Sequence, residues 1–123
     1  NGVTLADPDQ EDCPIVYANK AFSDLTGYGP EDIIGKNCRF LQGADKGQAE
    51  VARLREGIKK HEPVSVTLRN YKKDGTLFHN HLAVTPLFDN KGELLYYLGV
   101  QYDVTYRVNA DEEIKKLTEM LNA

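Results

Sequence analysis

The sequence predicts an α+β domain, and three features point to it. Long runs of alternating apolar and polar residues fill 64–73, 76–87 and 94–104, and the turn signals Asp74-Gly75 and Asp89-Asn90-Lys91-Gly92 join them. Two shorter strand-like runs stand near the N-terminus. Helical signals are confined to residues 20–60 and to the C-terminal end. Strands and helices segregated in this way build α+β rather than alternating α/β architectures.

Taken in order, Gly2–Ala6 reads as a strand stopped by Asp7-Pro8-Asp9, and residues 7–14, acidic and with two prolines, read as a loop. Ile15–Ala18 is a second strand. Asn19 suits the N-cap of a short helix over residues 20–25, because its side chain accepts from an otherwise orphan amide. Thr26-Gly27-Tyr28-Gly29-Pro30 ends that helix. One more turn, 31–34, carries acidic residues at its positive end and stops at Gly35. Residues 47–60 form the longest early helix, with Val51, Leu54, Arg55 and Ile58 on one face. Pro63 precedes the next strand, where it costs no ladder bond.

Strand alternation places Val66, Leu68 and Asn70 on one side, and Phe78, Asn80, Leu82 and Val84 on one side. In the last strand Tyr97, Gly99 and Gln101 oppose Leu98, Val100 and Tyr102. Both faces are apolar enough for a central position. Asp103-Val104-Thr105 closes a domain expected over 1–105, and 106–123 is a helical extension. Within it, 109–122 carries a narrow stripe of Ile114, Leu117 and Leu121. That stripe suits docking on the sheet or the start of a coiled coil; a frayed terminal helix is the plainer alternative.

A chain of 123 residues is one domain, and 41% hydrophobic residues exclude a disordered chain. No apolar run is long enough to span a bilayer, so no membrane partner is expected, and with only two cysteines a reducing cytoplasm is the default location. Cys13 and Cys38 make no disulfide scaffold and lack metal-ligand spacing. His79 and His81, two residues apart, have no further ligand in range, so no metal site is expected. A net charge of −4 argues against nucleic-acid binding by this segment.

The stretch Asn37-Cys38-Arg39-Phe40-Leu41-Gln42-Gly43 concentrates the chemistry. Arg39 beside Cys38 favours thiolate character, although a thiol is on spacing alone more often a buried packing group. Arg55 on an apolar helix face either snorkels to water or meets an anion. Asn70, Asn80 and Gln101 place one carboxamide on each long strand, and a buried unpaired amide costs about 1–3 kcal/mol. Three converging amides, with Gly99 leaving room, point to a polar ligand edge. Leu41, Leu54, Ile58, Leu82 and Val84 offer apolar walls, and Arg39 and Arg55 suit a phosphate. A flat heterocycle with a phosphate tail fits these parts.

The seven-residue stretch resembles the signature of LOV domains, the flavin-binding blue-light sensors of phototropins and bacterial photoreceptors. The likeness continues through Leu25-Thr26-Gly27-Tyr28, Arg69-Asn70-Tyr71-Lys72-Lys73-Asp74-Gly75 and Gly99-Val100-Gln101, and it covers residues from about 3 to 105. It implies a PAS fold, a five-stranded antiparallel sheet with short helices enclosing one flavin, and a photosensory domain rather than an enzyme. It implies Cys38 as the thiol that bonds reversibly to flavin C4a in blue light, and Gln101 as the amide that reports the change toward the C-terminal helix and a homodimer or effector. Asn37, Gln42, Asn70, Asn80 and Gln101 match polar flavin contacts, and Arg39 and Arg55 match phosphate contacts. Leu41, Val51, Leu54, Ile58, Leu82 and Val84 match the apolar pocket, with Tyr97 and Gly99 beside the ring. Ala6, Cys13, Tyr97 and His79 depart from the residues common in relatives. The short loop 43–47 favours FMN over FAD. A flavin redox sensor, with light incidental, and a flavin reductase or oxidase are the competing functions.

Overall fold

Each long hairpin closes on a glycine in the left-handed region, and these turns set the register of half the sheet. In the computed structural model, which describes residues 1–123, β3 (Val64–Tyr71) ends earlier than the alternation suggests. Gly75 N donates to Lys72 O at 2.9 Å and Lys72 N to Thr76 O at 2.9 Å, with Gly75 at φ 88°. The connection is therefore a three-residue loop with a bulge, not the two-residue Asp74-Gly75 turn predicted from sequence. The turn between β4 (Leu77–Phe88) and β5 (Leu94–Asp103) repeats the device. Gly92, at φ 80°, donates to Asp89 O at 3.1 Å, and Asp89 Oδ1 accepts from the amides of Lys91 and Glu93.

β1 (Gly2–Ala6) and β2 (Ile15–Ala18) complete a five-stranded antiparallel sheet of order β2-β1-β5-β4-β3. β5 is central, as its two apolar faces predict. Register places Thr4 opposite Gly99 and Gly2 opposite Gln101 on one side of β5, and Leu82 opposite Gln101 on the other. The expected inward sets are the buried ones: Val66, Leu68 and Asn70; Phe78, Asn80, Leu82 and Val84; Tyr97, Gly99 and Gln101.

All helices but the last lie between β2 and β3 in the chain. α1 (Lys20–Thr26) is capped by Asn19, whose Oδ1 accepts from Phe22 N at 3.0 Å and also from Val3 N at 2.9 Å, so one side chain ties the helix start to β1. α2 (Pro30–Ile33) follows, then a 3-10 turn over Cys38–Gln42, then α3 (Ala49–Lys59). α4 (Thr105–Leu121) starts four residues earlier than the apolar stripe indicates. Asp103 Oδ1 accepts from Thr105 N at 2.9 Å, and Thr105 Oγ1 accepts from His79 N at 2.9 Å, so the helix is hung directly on β4 and β5. No residue of α4 is buried, so the stripe does not dock on this sheet. No helix is long and apolar enough to cross a membrane.

Apolar packing divides into two clusters. One holds Leu54, Val66, Leu68, Leu82, Val84 and Tyr97; the other holds Ile15, Phe22, Ile33 and Leu41. A cavity of about 320 Å³ takes its lining from both.

Candidate flavin site

Most residues singled out from the sequence meet at this cavity. α3 supplies Val51, Leu54, Arg55 and Ile58; β4 supplies Leu82 and Val84; β5 supplies Tyr97, Gly99 and Gln101; the 3-10 turn and its cap supply Asn37, Cys38, Arg39 and Gln42. The Tyr97 hydroxyl donates to Ile58 O at 2.9 Å, which satisfies its polar atom and fastens α3 to β5.

Three expected residues fall outside the lining. Leu41 packs with Ile15, Phe22 and Ile33, in the cluster that Cys38 also touches, and does not line the cavity. Asn70 and Asn80 are buried one step farther along the same sheet face. The expected convergence of three amides is in fact a pair and a single group. Asn80 Nδ2 donates to Asn70 Oδ1 at 2.9 Å, and Asn70 Nδ2 donates to Arg69 O at 2.9 Å. Gln101 Nε2 instead donates to Thr4 Oγ1 at 3.3 Å.

Two buried acceptors, Asn80 Oδ1 and Gln101 Oε1, have no protein partner. Each such group costs about 1–3 kcal/mol. Gly99 lies tight against the Gln101 amide: a Cβ there would lie 2.6 Å from Thr4 Oγ1 and 2.8 Å from Gln101 Nε2, so those side chains would have to shift. A bare-backbone cradle, apolar walls and the buried Gln101 amide on its rim fit a flat polar ring of the flavin type.

Cys38 opens the 3-10 turn, is half-buried and lines the cavity. Asn37 is its N-cap: Oδ1 accepts from Arg39 N at 3.0 Å and Nδ2 donates to Asp12 O at 2.8 Å. The expectation of a thiolate does not hold. Burial first, then the neighbouring Cys13, push the Cys38 thiol up to about 11, and the opposing pull of Arg39 is smaller. The Arg39 guanidinium is exposed and paired with Asp12. At neutral pH Cys38 therefore keeps its proton.

The mouth is cationic. Arg39, Arg55 and Lys46 all line it and are exposed, and Arg55 and Lys46 make no ion pair. Arg55 reaches water, as the snorkelling alternative expects, and it also borders the cavity. The nearby Asp45 is already engaged. Arg69 Nε and Nη2 reach it at 2.6 and 2.9 Å and the Tyr71 hydroxyl donates at 2.8 Å, which holds its carboxyl down at about 2. Gln48 accepts from Arg69 N at 2.7 Å and donates to Arg69 O at 2.8 Å and Asp45 O at 2.9 Å, so the loop carrying Lys46 is clamped to β3.

Sequence reasoning missed Thr4, Ile15 and Lys46 as lining residues, and weighed Ala6 and Cys13 only as departures from relatives. Alternation in β1, with Gly2, Thr4 and Ala6 on one side, is the signal that locates Thr4.

Comparison with known proteins follows the same line. The PAS domain family model matches residues 1–106. The chain is 50% identical over 103 residues to blue-light-activated histidine kinase 1 of Erythrobacter litoralis, covering 84% of this chain and 29% of that protein. It is 44% identical over 120 residues to a blue-light photoreceptor of Listeria monocytogenes, covering 97% and 47%. The solved LOV domain of an Erythrobacter litoralis blue-light activated histidine kinase superposes with TM-score 0.79 at 41% identity, covering 85% of this chain and 95% of that one. The chain thus spans less than half the length of these two curated relatives.

Proposed function

The chain belongs to the PAS family and, within it, to the LOV blue-light photoreceptors, and we propose that it senses light through flavin mononucleotide held in this cavity, with Cys38 as the reacting thiol. The observation that carries the reading is a cysteine sharing one cavity with a bare glycine and a buried amide. Arg39, Arg55 and Lys46 would take the phosphate, and the short clamped loop after the 3-10 turn supports FMN over a dinucleotide. Asn37, Gln42, Asn70, Asn80 and Gln101 would serve the ring's polar edge. Val51, Leu54, Ile58, Leu82, Val84 and Tyr97 would enclose its faces.

When bound, such a flavin supplies a ring that, excited by blue light, adds a thiol and releases it again in darkness. Cys38 is the thiol assigned to that reaction. It would supply both the sulfur and the proton that such an addition needs. The S–H bond that breaks in light reforms in darkness, and no outside oxidant or reductant enters. A thiol raised to about 11 suits this role, because it carries its proton into the reaction.

Gln101 is the proposed reporter. Its amide carries both a donor and an acceptor, and turning it exchanges which one faces the cavity. Two residues separate Gln101 from Val104, where α4 begins to form, and the exposed Ile114, Leu117 and Leu121 are available to a second copy or an effector. The domain is a sensor, and the output belongs to whatever α4 engages.

Cys38→Ala tests the assignment. The variant is expected to retain flavin and to lose reversible bleaching in blue light. Bleaching and dark recovery at wild-type rates would remove Cys38 from the mechanism.

A further inference from the structure

We propose that Thr4 is a positioning residue for Gln101, a two-way hydrogen-bond partner that keeps the end of this amide facing it bonded in either orientation. The inference rests on the sensor reading above and assigns a part to β1 within it.

The geometry comes from strand register. Antiparallel pairing puts Thr4 directly opposite Gly99, and Gln101 lies two residues on along the same face of β5. Thr4 is 4% and Gln101 3% exposed, so neither side chain has water as a ready substitute partner. Their one mutual contact is Gln101 Nε2 donating to Thr4 Oγ1 at 3.3 Å. Gly99 is what allows it, since a Cβ at that position would stand 2.6 Å from the hydroxyl and 2.8 Å from the amide nitrogen. The other end of the amide, Oε1, has no partner and lies toward Gly2 and Phe22, as a Cβ built on Gly2 would sit 3.2 Å from that oxygen and 3.1 Å from the Phe22 ring.

A threonine hydroxyl is both donor and acceptor, and its proton rotates to suit. With Nε2 facing Thr4, the hydroxyl accepts. With the amide turned half a revolution, Oε1 faces Thr4 and the hydroxyl donates. The bond survives in both orientations, so turning Gln101 costs little at this end. Valine has the same shape and would strand the nitrogen in one orientation and the oxygen in the other. Serine would keep the two-way partner. The Asn70–Asn80 pair has no such freedom, because Asn70 in turn donates to a main-chain carbonyl that can only accept.

The test compares Thr4→Val and Thr4→Ser with wild type in the flavin-loaded protein, using two readouts. The first is the Gln101 side-chain ¹⁵N amide resonance in darkness, assigned with Gln101→Leu, which reports the local hydrogen bond without photochemistry. The second is the dark-recovery rate after blue light. Thr4→Val is expected to shift the resonance and change recovery by about fivefold, the equivalent of one buried hydrogen bond; Thr4→Ser is expected to stay near wild type in both. A valine variant indistinguishable from wild type, or a serine variant displaced as far as valine, overturns the proposal. Wild type that does not bleach at all sinks the sensor reading instead, and the dark-state resonance separates the two failures.

Discussion

Asn80 and Gln101 stand on adjacent strands of one buried face, and each presents a carboxamide with an unspent oxygen, yet they are held in different ways. Asn80 donates to Asn70, which donates to the Arg69 carbonyl, so the chain of bonds ends on backbone and runs in one direction only. Gln101 meets a single hydroxyl that can reverse. The difference teaches a division of labour. On the proposed reading, the network anchored on main chain would hold the ligand, and the group with a reversible partner would report on it.

The severest way to break this comparison is Gly99→Ala, which drives a methyl against both Thr4 and Gln101. Overpacking of this kind costs about 1–3 kcal/mol. We expect a lower urea midpoint and protein that purifies with much less flavin; full flavin occupancy would show that the cradle is not needed. Next come Asn80→Leu and Gln101→Leu, the same change at the two sites. Asn80→Leu strands Asn70 and should cost about 1–3 kcal/mol in stability and weaken flavin retention. Gln101→Leu should retain flavin and bleaching, and should lose the light-dependent change in hydrogen exchange along α4. Interchanged phenotypes would reverse the assignment of recogniser and reporter.

At the mouth, Arg55→Ala should lower affinity for FMN about 10- to 100-fold, the worth of a charge-assisted bond, and leave riboflavin affinity unchanged. Equal losses for both would mean that Arg55 serves the wall and not a phosphate. The mildest test concerns the thiol. With Cys38 raised to about 11, the thiolate fraction grows with pH throughout the neutral and mildly alkaline range. In a Cys13→Ser background, alkylation of Cys38 should quicken about tenfold per pH unit from about 7 to about 9.5 without levelling. A plateau near 8 would restore the thiolate expected from Arg39.

The readable parts of this chain are those where a local rule is enough. Period-two alternation with one buried face admits a single register, so the inward residues of β3, β4 and β5 follow from sequence. The Asn19 cap and the left-handed glycines at 27 and 35 are likewise local. Thr4 was hidden because its partner lies 97 residues away, and nothing in a five-residue strand names the strand it pairs with. The thiolate expectation failed for a related reason: burial is a tertiary quantity, and it outweighs one exposed neighbouring charge that is itself paired with Asp12. The start of α4 was missed because residues 105–108 carry no apolar stripe and its N-cap, Val104, has no capping side chain; Asp103 Oδ1 instead accepts from Thr105 N and Oγ1.

The most direct measurement is the visible absorption of the purified protein before, during and after blue illumination. The account predicts a yellow protein whose flavin band bleaches in light and returns fully in darkness, cycle after cycle. Colourless protein that takes up no flavin on refolding with excess, or a yellow protein whose band is indifferent to light, would contradict it.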